Sequence, residues 1–99
     1  MAVVGMLAFS VLGLAACGGG SWEDRLKDPE VMDAYRQDAR ATGTALMDER
    51  LDDMARRLCA GWAGESDEAV MERELLNTPA IERSNFFAIA TAAHTNVCP

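Results

Sequence analysis

The residues of this chain best suited to chemistry are three cysteines, Cys17, Cys59 and Cys98, and a single histidine, His94. His94 precedes Cys98 by four residues, so on a helix the two would share a face. With Cys59 they could supply three zinc ligands, because thiolate sulfur and imidazole nitrogen are the donors zinc favours. A Cys–His pair is also the arrangement that activates a nucleophilic thiol. A disulfide between Cys59 and Cys98 would end both chemistries and leave His94 as a surface or boundary residue. That outcome is the expectation here, with no metal and no cofactor. Carboxylates recur at helical spacing in Asp48/Asp52 and Glu49/Asp53, but no calcium loop with its central glycine accompanies them, so a solvated acidic face is expected. Gly18-Gly19-Gly20 precede Ser21-Trp22 with no Lys directly after, which excludes a phosphate loop. The chain is not expected to be an enzyme.

Helices must position these residues. After residue 22, Val and Ile are scarce, and Ala, Leu, Met, Arg and Glu favour helix over strand. Asp28-Pro29-Glu30 is a start signal: a capping carboxylate, Pro at the first helical position and an acid at the positive helix end. Val31, Met32, Tyr35 and Ala39 then form an apolar stripe, with Thr42 weakly continuing it and Gly43 as a stop, which predicts a helix over 29–42. In the next helix Leu51, Met54, Ala55, Leu58, Cys59 and Trp62 follow the spacing of one buried face, and Gly61 and Gly64 end it. Ser66-Asp67-Glu68 opens a third, shorter helix with Val70, Met71, Leu75 and Leu76 inward. Thr78 and Pro79 start a fourth over 79–97, with Ile81, Phe86, Ile89, Ala90, Ala93 and Val97 toward the core. The expected fold class is all-α, a small bundle of about four helices after an N-terminal signal or anchor helix, with one disulfide. The helical domain is assigned to 29–99.

Charge divides the chain. All 9 Lys+Arg and all 16 Asp+Glu lie from Glu23 onward, so the net charge of −7 belongs entirely to the C-terminal part. So acidic a domain repels nucleic acid and anionic headgroups, which excludes nucleic acid as a partner. Residues 1–16, MAVVGMLAFSVLGLAA, are apolar and end in small residues, but no Lys or Arg precedes them. Sixteen residues fall short of the roughly 20 that span a bilayer and fit the apolar region of a secretory signal. An uncleaved anchor helix and a buried core helix are the competing readings. Leu14, Ala15, Ala16 and Cys17 together resemble the lipobox, the bacterial lipoprotein signal. The resemblance implies a diacylglycerol thioether on Cys17, cleavage between Ala16 and Cys17, and a location on the extracytoplasmic face of the cell membrane. Residues 17–28 would then be the lipidated cysteine and a flexible tether.

With Cys17 acylated, Cys59 and Cys98 remain, and the exported side of the membrane permits their pairing; two buried free thiols are the alternative. The pattern Ala55-x-x-Leu58-Cys59-x-Gly61, then Asn85-Phe86-Phe87-x-x-Ala90-x-Ala92-Ala93 and a terminal Cys98-Pro99, resembles the actinobacterial "domain of unknown function 732". The resemblance covers about Val31 to Pro99. It implies a Cys59–Cys98 disulfide, an envelope location and a short exported helical domain of a type also encoded by phages. Val97 stands where that family commonly has an aromatic residue, and the segment 65–74 is unusually acidic. The function expected is a non-catalytic, lipid-anchored interaction module that binds another envelope protein, and in a phage- or prophage-encoded form serves superinfection exclusion. Trp22, Tyr35 and Trp62 are its candidate contact residues, each also able to complete the core. The alternative is a carrier of small apolar ligands, with a pocket lined by Met54, Met71, Phe86 and Phe87.

Overall fold

In the computed structural model, which describes residues 21–99, the described residues are helical and contain no strand. The elements are α1 (Trp22–Leu26), α2 (Pro29–Arg40), α3 (Asp48–Trp62), α4 (Asp67–Asn77), a 3-10 helix (Ala80–Asn85) and α5 (Phe86–Asn96). The fold is an all-α bundle.

The helix starts follow the local chemistry. Asp28 caps α2, its carboxylate accepting from Glu30 N at 2.9 Å, with Pro29 at the first helical position. Ser66 caps α4 by accepting from Ala69 N at 3.3 Å. Helix α2 stops at Arg40 and the chain turns through Gly43, whose φ of 89° suits a residue without a Cβ.

Helix α5 packs across α2 and α3, while α4 packs on α3. Met32, Tyr35 and Ala39 of α2 meet Leu51, Met54, Ala55, Leu58 and Cys59 of α3, and Phe86, Ile89, Ala90 and Ala93 of α5 close the core with Val97. Val70 is the contribution of α4, seated against Gly61, where a Cβ would fall 2.9 Å from its Cγ2. Glycine is therefore required at that crossing. Cys59 and Cys98 form a disulfide with Cα atoms 5.5 Å apart, joining α3 to the chain just beyond α5.

The structure departs from the sequence reading in three places. Residues 22–26, placed with the tether, form α1; Trp22 and Leu26 pack partly buried against the core, and Arg25 Nη1 donates to Asn96 O at 3.2 Å. The helical unit therefore begins at Trp22, ahead of Pro29. The expected fourth helix is also not continuous: its first six residues are 3-10, and Ile81, assigned to the core, is 87% exposed. Glu82 points inward instead. Its carboxylate accepts from Thr44 Oγ1 at 2.6 Å, Ala45 N at 3.0 Å and Asn85 Nδ2 at 3.1 Å. Three donors satisfy a group whose burial would otherwise be costly, and the tighter 3-10 turn sets the register that aims it there. Finally, Leu76 faces solvent while Glu74, nearly fully buried, takes the inward position of the last turn of α4. Arg57 Nε at 2.9 Å and Arg73 Nε at 3.1 Å hold its two carboxylate oxygens. In both places a satisfied carboxylate displaces an apolar side chain.

Candidate functional site

The sequence nominated cysteines, a histidine, an acidic stripe and three aromatics, and the bundle treats these groups differently. The Cys59–Cys98 bridge leaves no free thiol at either position, so neither a thiolate–zinc site nor a Cys59–His94 or Cys98–His94 nucleophile pair can form while it is intact. Among the described residues no cluster of three His, Cys, Asp or Glu side chains could hold a metal ion.

Three of the four carboxylates in the acidic stripe on α3 are paired with arginines. Arg36 Nε donates to Asp52 at 2.9 Å, Arg40 Nη2 to Asp48 at 2.5 Å, and Arg56 pairs with Asp53. The Arg40 hydrogen bond holds the Asp48 carboxyl below the usual carboxylate range. The Arg36 and Arg40 contacts tie α3 to the C-terminal half of α2, and the Arg56 pair lies within α3.

The aromatic trio separates. Tyr35 is fully buried, and its hydroxyl donates to the Leu51 carbonyl, so it joins α2 to α3 and cannot contact a partner. Burial, reinforced by the Asp52 charge, pushes that hydroxyl's pKa above the ordinary tyrosine value. Trp22 is half-buried against the core. Trp62 is half-buried too, and it alone borders an open groove.

That groove, about 510 Å3, lies between the α3–α4 turn and α5 and is lined by Trp62, Glu65, Asp67, Met71, Ala90, Thr91 and His94. The Trp62 indole N–H donates to Asp67 Oδ1 at 2.8 Å, and its ring meets His94 edge-to-face with centroids 5.2 Å apart. Glu65 is engaged by Arg73 Nη1 at 2.6 Å. The helix spacing that sets Trp62 one turn past Cys59, and His94 one turn before Cys98, brings this pair together beside the disulfide. The groove's carboxylate-bearing walls and wide mouth differ from the enclosed apolar lining that a carrier of small apolar ligands requires. Of the four residues proposed to line a carrier pocket, Met71 alone reaches this groove; Met54 and Phe86 are core, and Phe87 is 60% exposed.

Sequence reasoning missed Glu74 and Glu82, the two buried carboxylates. Beside the near neighbours Arg73 and Asn85, their partners Arg57, Thr44 and Ala45 lie 17, 38 and 37 positions away, beyond the reach of a local motif. It also missed the exposed apolar group of Met47, Leu76, Ile81 and Phe87. Cys17 and the lipobox residues Leu14, Ala15 and Ala16 lie outside the described residues. No family model, curated protein or solved structure matches this chain.

Proposed function

We propose that this chain is a non-catalytic, lipid-anchored envelope protein that displays a small helical domain for recognition by another envelope protein. The observation that carries the reading is the Cys59–Cys98 disulfide. A bridge of this kind persists in an oxidising compartment, and residues 14–17 resemble a signal that delivers a chain to one. Two acyl chains on Cys17 would give stable anchoring, where one gives only marginal binding. The actinobacterial family that the cysteine and Asn85-Phe86-Phe87 pattern resembles fits the same setting. In a phage- or prophage-encoded form, the domain would occupy a receptor or injection component and so serve superinfection exclusion. No observation favours the apolar-ligand carrier, because its proposed lining residues are divided between core and surface.

Thiol trapping in intact cells tests the reading. A membrane-permeant maleimide should leave Cys59 and Cys98 unmodified until a reductant is added. Modification of both without reductant would assign the domain to a reducing compartment and overturn the proposal.

A further inference from the structure

The groove between the α3–α4 turn and α5 gathers Trp62, Asp67, Met71 and His94 around one concavity. Its walls hold an aromatic ring and a carboxylate in fixed relation. The Trp62 indole N–H donates to Asp67 Oδ1 at 2.8 Å and the ring meets His94 edge-to-face, so the indole is held in place before any partner arrives. The indole is a neutral donor and does not offset the Asp67 charge, and Asp67 Oδ2 has no hydrogen-bond partner among the described residues.

The groove is negative with all its neighbours included. Glu65 on its wall is paired with Arg73, which shares Glu74 with Arg57, so these four groups cancel. Asp67 is left over, and His94 in its neutral form adds nothing. Glu68 and Glu72, the exposed neighbours of Asp67 and Met71 on α4, form no ion pair among the described residues. Residues 58–64 carry no charged side chain, and α5 has none besides His94. The cations without a carboxylate partner lie elsewhere. Arg50 and Arg83 bond carbonyls at the opposite end of α4. Arg25 and Lys27 belong to α1 and its cap, which pack on α2 and α3, and Arg25 reaches α5 at Asn96, where Asp38 of α2 also binds.

An indole beside an unpaired carboxylate suits a cation carried on an apolar stem. Trp attracts cations more strongly than the other aromatic rings, and a guanidinium both stacks on it and hydrogen-bonds a carboxylate. The methylenes of an arginine would cover Met71 and Ala90. A metal ion does not fit, because no three His, Cys, Asp or Glu side chains converge among the described residues. A free small molecule would stay largely exposed in so wide a mouth, whereas small-ligand sites bury most of their guest. A side chain presented by a protein arrives with the surface that closes the mouth. A second copy is a poor match, because each chain carries a net charge of −7 and an isologous contact would set the acidic groove against itself. We infer that the Trp62–Asp67 groove seats an arginine side chain of the partner protein. The inference rests on the interaction-module reading above and names the contact that such a module would use.

The test uses the full chain, isotope-labelled for NMR, in uncharged dodecyl maltoside micelles. A short alanine peptide with one central arginine is titrated in, and in parallel the same peptide with citrulline, which keeps the shape of arginine without its charge. The indole N–H signals of Trp62 and Trp22 report separately, so Trp22 on α1 is the internal control. The arginine peptide should shift the Trp62 signal and leave Trp22 in place, and citrulline should bind at least about fivefold more weakly. Asp67→Asn keeps an oxygen for the indole N–H but removes the charge, and it should weaken arginine binding severalfold. Glu30→Gln removes an exposed charge from α2 and should leave binding unchanged. Circular dichroism and an intact disulfide establish that each variant is folded. Equal binding of the two peptides, an unmoved Trp62 signal, or equal losses in Asp67→Asn and Glu30→Gln would overturn the inference. So would tighter binding of choline, which would give the groove to a lipid headgroup, or a dimer in sedimentation that Asp67→Asn disperses, which would give it to a second copy. Thiol trapping decides the compartment and this titration reads the groove alone, so the two proposals fail separately. A partner crosslinked in cells at another face would remove the groove while leaving the interaction-module reading in place.

Discussion

Reducing the Cys59–Cys98 bridge should remove a large part of this domain's stability, and the size of the loss follows from the chain it closes. The two cysteines are 39 positions apart. Opening a loop of about 40 residues restores denatured-state entropy worth about 4 kcal/mol at 25 °C. A domain of about 80 residues has roughly 4–12 kcal/mol in total at 0.05–0.15 kcal/mol per residue. The bridge therefore supplies between a third and nearly all of the margin. Cys59 is 1% exposed, so reduction leaves its sulfur packed in the core, and the loss is dominated by the loop. Urea unfolding followed by circular dichroism, with and without reductant, measures the difference. A companion thermal melt should fall by about 15–30 °C, at about 4–8 °C per kcal/mol for a domain of this size. Cys59→Ala, Cys98→Ala and the double variant should all lose similar amounts, because the two residues act as one unit. A loss below about 1 kcal/mol on reduction, or a double variant whose cost is the sum of the singles, would refute the reasoning.

Three further outcomes are expected. Gly61→Ala would set a Cβ 2.9 Å from Val70 Cγ2 and 2.7 Å from Arg73 Nη2, so urea unfolding should show a loss of about 1–3 kcal/mol from overpacking. Tyr35→Phe removes the buried hydrogen bond to Leu51 O and should cost about 1–2 kcal/mol in the same assay. The Glu82 carboxyl is held below its ordinary pKa of 4.5 by donors from Thr44, Asn85 and Ala45. A folded-state pKa below the unfolded one contributes stability above pH 4.5 that is lost as pH falls through the depressed value; Glu82→Gln should flatten this acid limb in unfolding titrations from pH 7 to pH 2.

The parts of the fold that were legible in the sequence were those written locally. The periodicity of Leu51 to Trp62 marked the buried face of α3, and Asp28-Pro29 marked the start of α2 within a residue. The Cys59–Cys98 bridge was expected once Cys17 was set aside and from the family resemblance, with two free thiols as the alternative, and the structure forms it. What escaped is set by contacts across the bundle. Apolar periodicity placed Ile81 inside, but Glu82 occupies that position because Thr44 and Ala45 come to meet it through tertiary packing. Leu76 yielded to Glu74 for the same reason, with Arg57 of α3 meeting the carboxylate that the neighbouring Arg73 also holds. Trp22 and Leu26 could not be seen as packed from a five-residue segment too short to show a stripe. Of the three candidate contact residues, Tyr35 is core, Trp22 is half-buried and Trp62 borders a groove, positions that residue type alone does not specify.

Anchoring through Cys17 is tested most directly by growing cells with an alkyne-bearing fatty acid and coupling the recovered protein to a fluorescent azide. The wild-type chain should be labelled and should fractionate with the membrane, while Cys17→Ala should show neither label nor processing at Ala16. Equal labelling of both chains, or none of the wild type, would contradict the lipid-anchored reading.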